Sequence, residues 1–316
     1  MVLKFMAVFA AFIASAITLA QPAPKRPPRV VVSIPPLAGL VRPLLPEGSK
    51  VEILIPPGVS EHGYDIPPSK LAAMAGADLV VYVGLGLEPQ IEKYVKDHPR
   101  AGRRDVSFAA AVGRDASNRA GHDHEDHDHA DGEICDHHHG TDPHLWLDPI
   151  LVRAFVPVLA EHVTSLRAEG DESSVKVAAR RDAMLERVRE LDAAFVAMSA
   201  AAPRKTLVVG HDAYRLLADR YGLRTLALAG LSASEPTPSA LAAVSSAAKN
   251  EGVTTVFIEP QLSRSAADRI ARACKLKVRV LDPLGSGDYF GLMHRNLTEI
   301  GEALGVPSTE TRSAPK

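Results

Sequence analysis

The chain has 316 residues, 36 basic and 38 acidic side chains, a formal net charge of −2 and 46% hydrophobic residues. Such a balance excludes a surface built to hold nucleic acid or an anionic membrane. The length suits two domains better than one.

The first twenty residues, MVLKFMAVFAAFIASAITLA, read as a secretory signal peptide. Lys4 is the basic end, residues 5 to 19 are apolar or small, and Thr18-Leu19-Ala20 offers a small-x-small cleavage site. No cysteine follows the apolar run, so no direct lipid anchor is expected, and no later stretch is apolar enough to span a bilayer. The mature chain is expected outside the cytoplasm as a soluble monomer.

Short apolar strands are expected at 29 to 33 (RVVVS, broken by Pro35-Pro36), 50 to 55, 79 to 83 and, more weakly, 105 to 108. Helices fall between them at 68 to 76 and 88 to 97. All-apolar strands alternating with helices predict an α/β lobe with a mostly parallel, covered sheet. A polar low-complexity segment at 115 to 141 cannot bury enough apolar surface to order itself. It lies within an N-terminal lobe expected to span 29 to 168, whose last helix is 149 to 168. Residues 173 to 200 form a long linking helix. There Met184, Val188, Leu191, Phe195 and Met198 make one apolar face, and the length is about 40 Å. A second alternation fills 203 to 310: strands at 205 to 209, 223 to 228, 254 to 258 and 277 to 281, and helices at 212 to 220, 238 to 250, 264 to 273 and 289 to 303.

Seven of the 13 histidines crowd into the polar segment: His122, His124, His127, His129, His137, His138 and His139. Imidazole is the commonest metal-binding side chain, so this run points to transition metals. Chelation would require a flexible segment to order, which makes it a weaker site than a preformed cleft. Cys135 and Cys274 are the two cysteines. An exported compartment permits a disulfide between them, and Cys135 inside the histidine run also suits a soft ligand or a free thiol.

Ligands in open α/β sheets gather at the carboxyl ends of strands. Four side chains stand there or in the loops between elements: His62 in PPGVSEHGYD, His144 in TDPHLWLDP, His211 after KTLVVG, and Asp282 after KVRVL. Two belong to each lobe, so an ion would lie in the cleft, and three imidazoles with one carboxylate suit Zn²⁺. No short-range zinc motif is present. Each of the four also has an ordinary structural use, as a loop, capping or strand-end residue. Asp142, Asp148 and Asp212 compete as ligands or as partners that orient an imidazole. Glu61 and Glu259 are further rivals, and Glu259 has the alternative of hydrogen bonding near the cleft.

Taken in order, PPGVSEHGYDIPPS, the acidic histidine-rich insertion, DPHLWLDP, VVGHDAYRLLADRYGL, FIEPQ and LDPLG resemble the zinc- and manganese-specific (cluster A-I) solute-binding proteins of ABC-type uptake systems. The resemblance runs from about 29 to 305. It implies two lobes joined by a rigid backbone helix, with metal buried between them. Zinc-class ligands would fall on His62, His144 and His211, with Asp282 as the carboxylate. Manganese-type members offer a further Glu near the position of Ala229, and Glu235 sits too far along the loop, so zinc is favoured. The resemblance further implies a periplasmic carrier, not an enzyme, that captures Zn²⁺ and delivers it to an ABC-type permease in the inner membrane. The alternatives are a manganese-binding protein of the same class, a zinc buffer built around the histidine loop, and an exported zinc hydrolase with Glu61 or Glu259 as base.

Overall fold

A computed structural model describes residues 26–114, 142–166, 173–229 and 238–307. The signal-peptide segment, the seven loop histidines, Cys135 and Glu235 lie outside the described residues. Among the described residues, no helix is long and apolar enough to cross a membrane.

The first lobe is a parallel sheet in the order β2-β1-β3-β4, formed by β1 (Arg29–Val32), β2 (Lys50–Ile53), β3 (Leu79–Tyr82) and β4 (Arg104–Ser107). The second is a parallel sheet in the order β6-β5-β7-β8, formed by β5 (Thr206–His211), β6 (Arg224–Ala229), β7 (Thr255–Ile258) and β8 (Lys277–Val280). Both thus repeat one topology. The central strands β1, β3, β5 and β7 are apolar on both faces because helices cover both. Edge strand β8 alternates, KVRV, and is only partly buried.

Helices of the first lobe are α1 (Pro35–Val41), α2 (Pro68–Ala75), α3 (Pro89–Asp97), α4 (Phe108–Ala111) and α5 (Pro149–Ser165). Those of the second are α7 (Arg215–Arg220), α8 (Pro238–Asn250), α9 (Ser265–Cys274) and α10 (Tyr289–Leu304). The sequence reading overlooked α1. Pro35-Pro36 ends β1 as expected, but proline at the first helical positions also fits a helix start, and all but one of the α1 residues are buried.

Helix α6 (Ser173–Ala201) links the lobes. The expected stripe of Met184, Val188, Leu191, Phe195 and Met198 is buried, and the helix packs on α5 of one lobe and α10 of the other. One hydrophobic core runs through both lobes, joining Val31, Leu37 and Trp146 to Leu281, Leu284 and Tyr289. A smaller core under α8 and α9 holds Val208, Val256 and Ile270. Trp146 Nε1 donates to Pro283 O at 2.7 Å, and Tyr289 Oη donates back to Trp146 O at 3.0 Å. Arg220 of the second lobe pairs with Asp148 of the first at 2.8 Å.

Candidate metal centre

In each sheet the chain departs to opposite sides at one pair of strands: β1/β3 in the first lobe and β5/β7 in the second. Such switch points open a crevice at the carboxyl ends of the strands. The candidate ligands collect there.

His62 lies on the 54–67 loop that follows β2. Ser60 Oγ accepts the His62 backbone N–H at 3.2 Å, and Gly63 supplies the left-handed backbone (φ +68°) that closes the turn. Gln90 pins the far side of the loop, accepting from Ile66 N at 2.8 Å and donating to Asp65 at 2.6 Å. His144 precedes the 3₁₀ turn Leu145–Leu147 and is completely buried. His211 is the last residue of β5, which runs two residues past the end at 209 expected from sequence.

The three imidazoles converge through Nε2. His144 Nε2 lies 3.2 Å from His62 Nε2 and 3.3 Å from His211 Nε2. Glu61 Oε1 stands 3.7 Å from His144 Nε2 and 3.9 Å from His62 Nε2. The four ligand atoms all lie within 4.8 Å of one another. A tetrahedral ion with bonds of 2.0–2.1 Å has ligand-to-ligand edges of about 3.3 Å, so the spacing already fits zinc.

Hydrogen bonding behind the rings sharpens the point. Asp142 Oδ1 accepts from His144 Nδ1 at 2.8 Å and from the His144 backbone N–H at 3.0 Å. Glu259 Oε1 accepts from His211 Nδ1 at 2.5 Å. In the neutral imidazole one nitrogen carries the proton and the other a lone pair. With Nδ1 donating backwards, both Nε2 atoms turn lone pairs toward one point 3.3 Å apart. Glu61 Oε1 is buried with no hydrogen-bond partner. Converging lone pairs and an unsatisfied carboxylate oxygen repel one another in a dry site, and a cation at their centre removes the conflict.

Titration follows from the same geometry. Burial, then the charge of His144 and His211, drives His62 down to about 3. Burial, then His144, drives His211 down to about 4. Burial also works against a charged His144, but the hydrogen bond and charge of Asp142, with Glu61 and Glu259 behind, outweigh it and leave His144 raised. Burial raises Glu61 against the pull of His144, and raises Glu259 while His144 and a backbone hydrogen bond from His211 pull it back.

Of the residues expected from sequence, His62, His144 and His211 meet, and Asp282 does not join them. Asp282 follows β8, the edge strand beyond β7. Its Oδ1 is taken up by the turn that follows, accepting from Leu284 N and Gly285 N at 3.0 Å each and from Gln261 Nε2 at 2.8 Å. Glu61, named from sequence as a rival carboxylate, lies beside the three imidazoles. The signal for it was its position beside His62 in the sequence. Ala229 closes β6 directly opposite His211 in register, so the strand neighbour of His211 offers no ligand atom.

A family model for ZnuA, zinc-uptake complex component A periplasmic, matches residues 30–303. The chain is 29% identical over 279 residues to the zinc-binding lipoprotein AdcA of Streptococcus pneumoniae (strain ATCC BAA-255 / R6), covering 85% of this chain and 54% of that one. It therefore spans about half the length of that relative. It is 28% identical over 290 residues to the high-affinity zinc uptake system protein ZnuA of Bacillus subtilis (strain 168), covering 88% of each. A crystal structure of a zinc-bound ZnuA deletion mutant superimposes with a TM-score of 0.71 at 25% identity, over 88% of this chain and 98% of that one. The lobes, the linking helix, the cluster between them and the match over nearly the whole described chain agree: this protein belongs to the ZnuA family of periplasmic zinc-uptake components.

Proposed function

We propose that the chain captures Zn²⁺ in the periplasm on Glu61, His62, His144 and His211 and hands it to an ABC-type permease, with no chemical turnover. The observation that carries this reading is the convergence of three Nε2 atoms at tetrahedral spacing, two of them with their protons held on the far nitrogen. Three imidazole donors suit zinc better than the harder Mn²⁺. Four protein donors make a closed site, whereas catalytic zinc keeps a position open for water. The same proposal includes a cleaved segment at 1–20, lobes at 29–168 and 203–310 around the helix 173–200, a monomer, and no lipid anchor.

The test is a competition titration with Zn²⁺ and Mn²⁺ on protein lacking residues 117 to 140. One tight zinc site should survive the deletion, with much weaker manganese binding. Loss of tight binding on deletion would favour the buffering role for the loop. His62→Ala, His144→Ala and His211→Ala should each weaken the site by more than about a hundredfold, beyond the loss typical of a partner behind a ligand. Glu61→Ala and Asp282→Ala, side by side, decide the fourth ligand. The present assignment is wrong if the Asp282 variant loses zinc and the Glu61 variant keeps it.

A further inference from the structure

The ring of His211 has one buried partner besides the cluster itself. Glu259 follows β7, the strand hydrogen-bonded to β5, so the carboxyl ends of two neighbouring strands place Glu259 beside His211. Pro260 comes next and biases the Glu259 backbone toward extended conformations. Glu259 is 3% exposed and its Oε1 lies 2.5 Å from His211 Nδ1. It is not among the four converging ligand atoms. On the other side of the cleft Asp142 stands behind His144 in the same way. The two lobes thus each back one buried imidazole with a carboxylate. The loop histidine, His62, has no carboxylate hydrogen-bonded to it among the described residues.

We propose that Glu259 is a positioning residue for zinc capture: by accepting the Nδ1 proton of His211 it fixes the tautomer and the ring plane that aim the Nε2 lone pair at the ion. An imidazole released from this bond carries its proton on either nitrogen and turns about its side-chain torsions. Part of the population then points N–H at the cation and cannot bind it. Each His211 ring must recover the correct tautomer and orientation before it ligates, and affinity falls by the fraction that is wrongly set. Carboxylates behind metal-binding histidines act in this way generally, and their removal weakens metal binding about 10- to 100-fold.

This inference rests on His211 being a ligand, and the experiment separates the two. Zinc affinity by chelator competition and the ring nitrogen signals of His211 by ¹⁵N NMR in the metal-free protein are measured for wild type, Glu259→Ala, Glu259→Gln and His211→Ala. Glu259→Ala should bind zinc about 10- to 100-fold more weakly, and His211 should lose its single Nδ1–H tautomer. Glu259→Gln, whose amide oxygen accepts the same bond, should keep the tautomer and recover most of the affinity. Wild-type affinity in Glu259→Ala overturns the proposal. So does weakened affinity with an unchanged His211 tautomer, because the loss is then one of packing. Should Glu259→Ala fail to fold, a Gln variant that binds as weakly as His211→Ala while keeping its melting temperature overturns it as well. Wild-type affinity in His211→Ala removes the ligand assignment itself.

Discussion

His144 and its two neighbours answer protons differently, and that difference sets the pH response of the site. In the folded metal-free protein His62 titrates at about 3 and His211 at about 4, so neither takes a proton between pH 7 and 5. His144, raised above its ordinary value, is the first of the three imidazoles to take one. Among the imidazoles, protons therefore compete with zinc through His144, and the carboxyl groups of Glu61 and Glu259, raised by burial, add to that competition. Zinc affinity should fall as pH drops below neutrality by at least about tenfold per pH unit, the slope of a single proton. Titrations at pH 8, 7 and 6, in buffers of different ionisation enthalpy, count the protons released; an affinity that does not change with pH would remove the assignment. The folding linkage of the other two runs the same way. Their folded pKa values lie below the unfolded value of 6.5, so the unfolded chain binds more protons in between. Their contribution to metal-free stability is complete above pH 6.5 and is lost as pH falls toward 4. Urea midpoints at pH 7 and 5 on wild type and on a His62→Gln, His211→Gln double variant should converge at the lower pH as far as these two groups are responsible.

Helix α5 is fixed at its start by one carboxylate with two duties. Asp148 Oδ1 accepts from Ile150 N at 2.8 Å, capping the helix, and Oδ2 takes Arg220 from the opposite lobe at 2.8 Å. Asn at this position keeps the cap and drops the ion pair, while Ala drops both. The extra loss from Asn to Ala should be about 1 kcal/mol in chemical denaturation, the usual worth of such a cap. Arg220 is partly exposed, so the ion-pair loss itself should be modest and reduced further by salt. Helix α6 is held by packing. Its Leu191 and Phe195 are fully buried, and Phe195 stacks on Tyr221 with ring centroids 5.1 Å apart. Phe195→Ala should cost about 3–5 kcal/mol, read as a shift in the urea midpoint at unchanged slope.

Across the whole molecule the lobes meet through close-packed backbone as well as side chains. A Cβ on Gly39 of α1 would lie 2.6 Å from Tyr289 N and 2.9 Å from Tyr289 Cβ, at the start of α10. No side-chain rotation relieves a clash with backbone, so Gly39→Ala must part α1 from α10. Overpacking of this kind costs about 1–3 kcal/mol. Because the ligands come from both lobes, the same change should weaken zinc binding although Gly39 touches no ligand. Calorimetry with and without zinc checks both effects; an unchanged affinity would mean the seam and the centre are uncoupled. The continuous core and the Trp146–Pro283 and Tyr289–Trp146 bonds argue against wide hinge motion between the lobes.

Much of this architecture was legible in the residues themselves. Apolar runs such as RVVV and LVVY can only be strands buried on both faces, and the 4, 3, 4, 3 spacing from Met184 to Met198 can only be one face of a helix. His62, His144 and His211 stood out because imidazoles near strand ends in such sheets face a crevice. Helix α1 was hidden because Pro35-Pro36 reads as a break and as a helix start alike. The choice between Glu61 and Asp282 was hidden because a carboxylate can ligate or hold a turn, and spacing along the chain does not distinguish them. In the packed lobes the two carboxylates stand differently. Glu61 Oε1 stands 3.7 Å from His144 Nε2, while the backbone N–H groups of Leu284 and Gly285 donate to an oxygen of Asp282. Local patterning settles which elements form, because it acts between near neighbours in the chain. Which side chains share an ion depends on contacts between residues as far apart as His62 and His211, and only the packed lobes supply those.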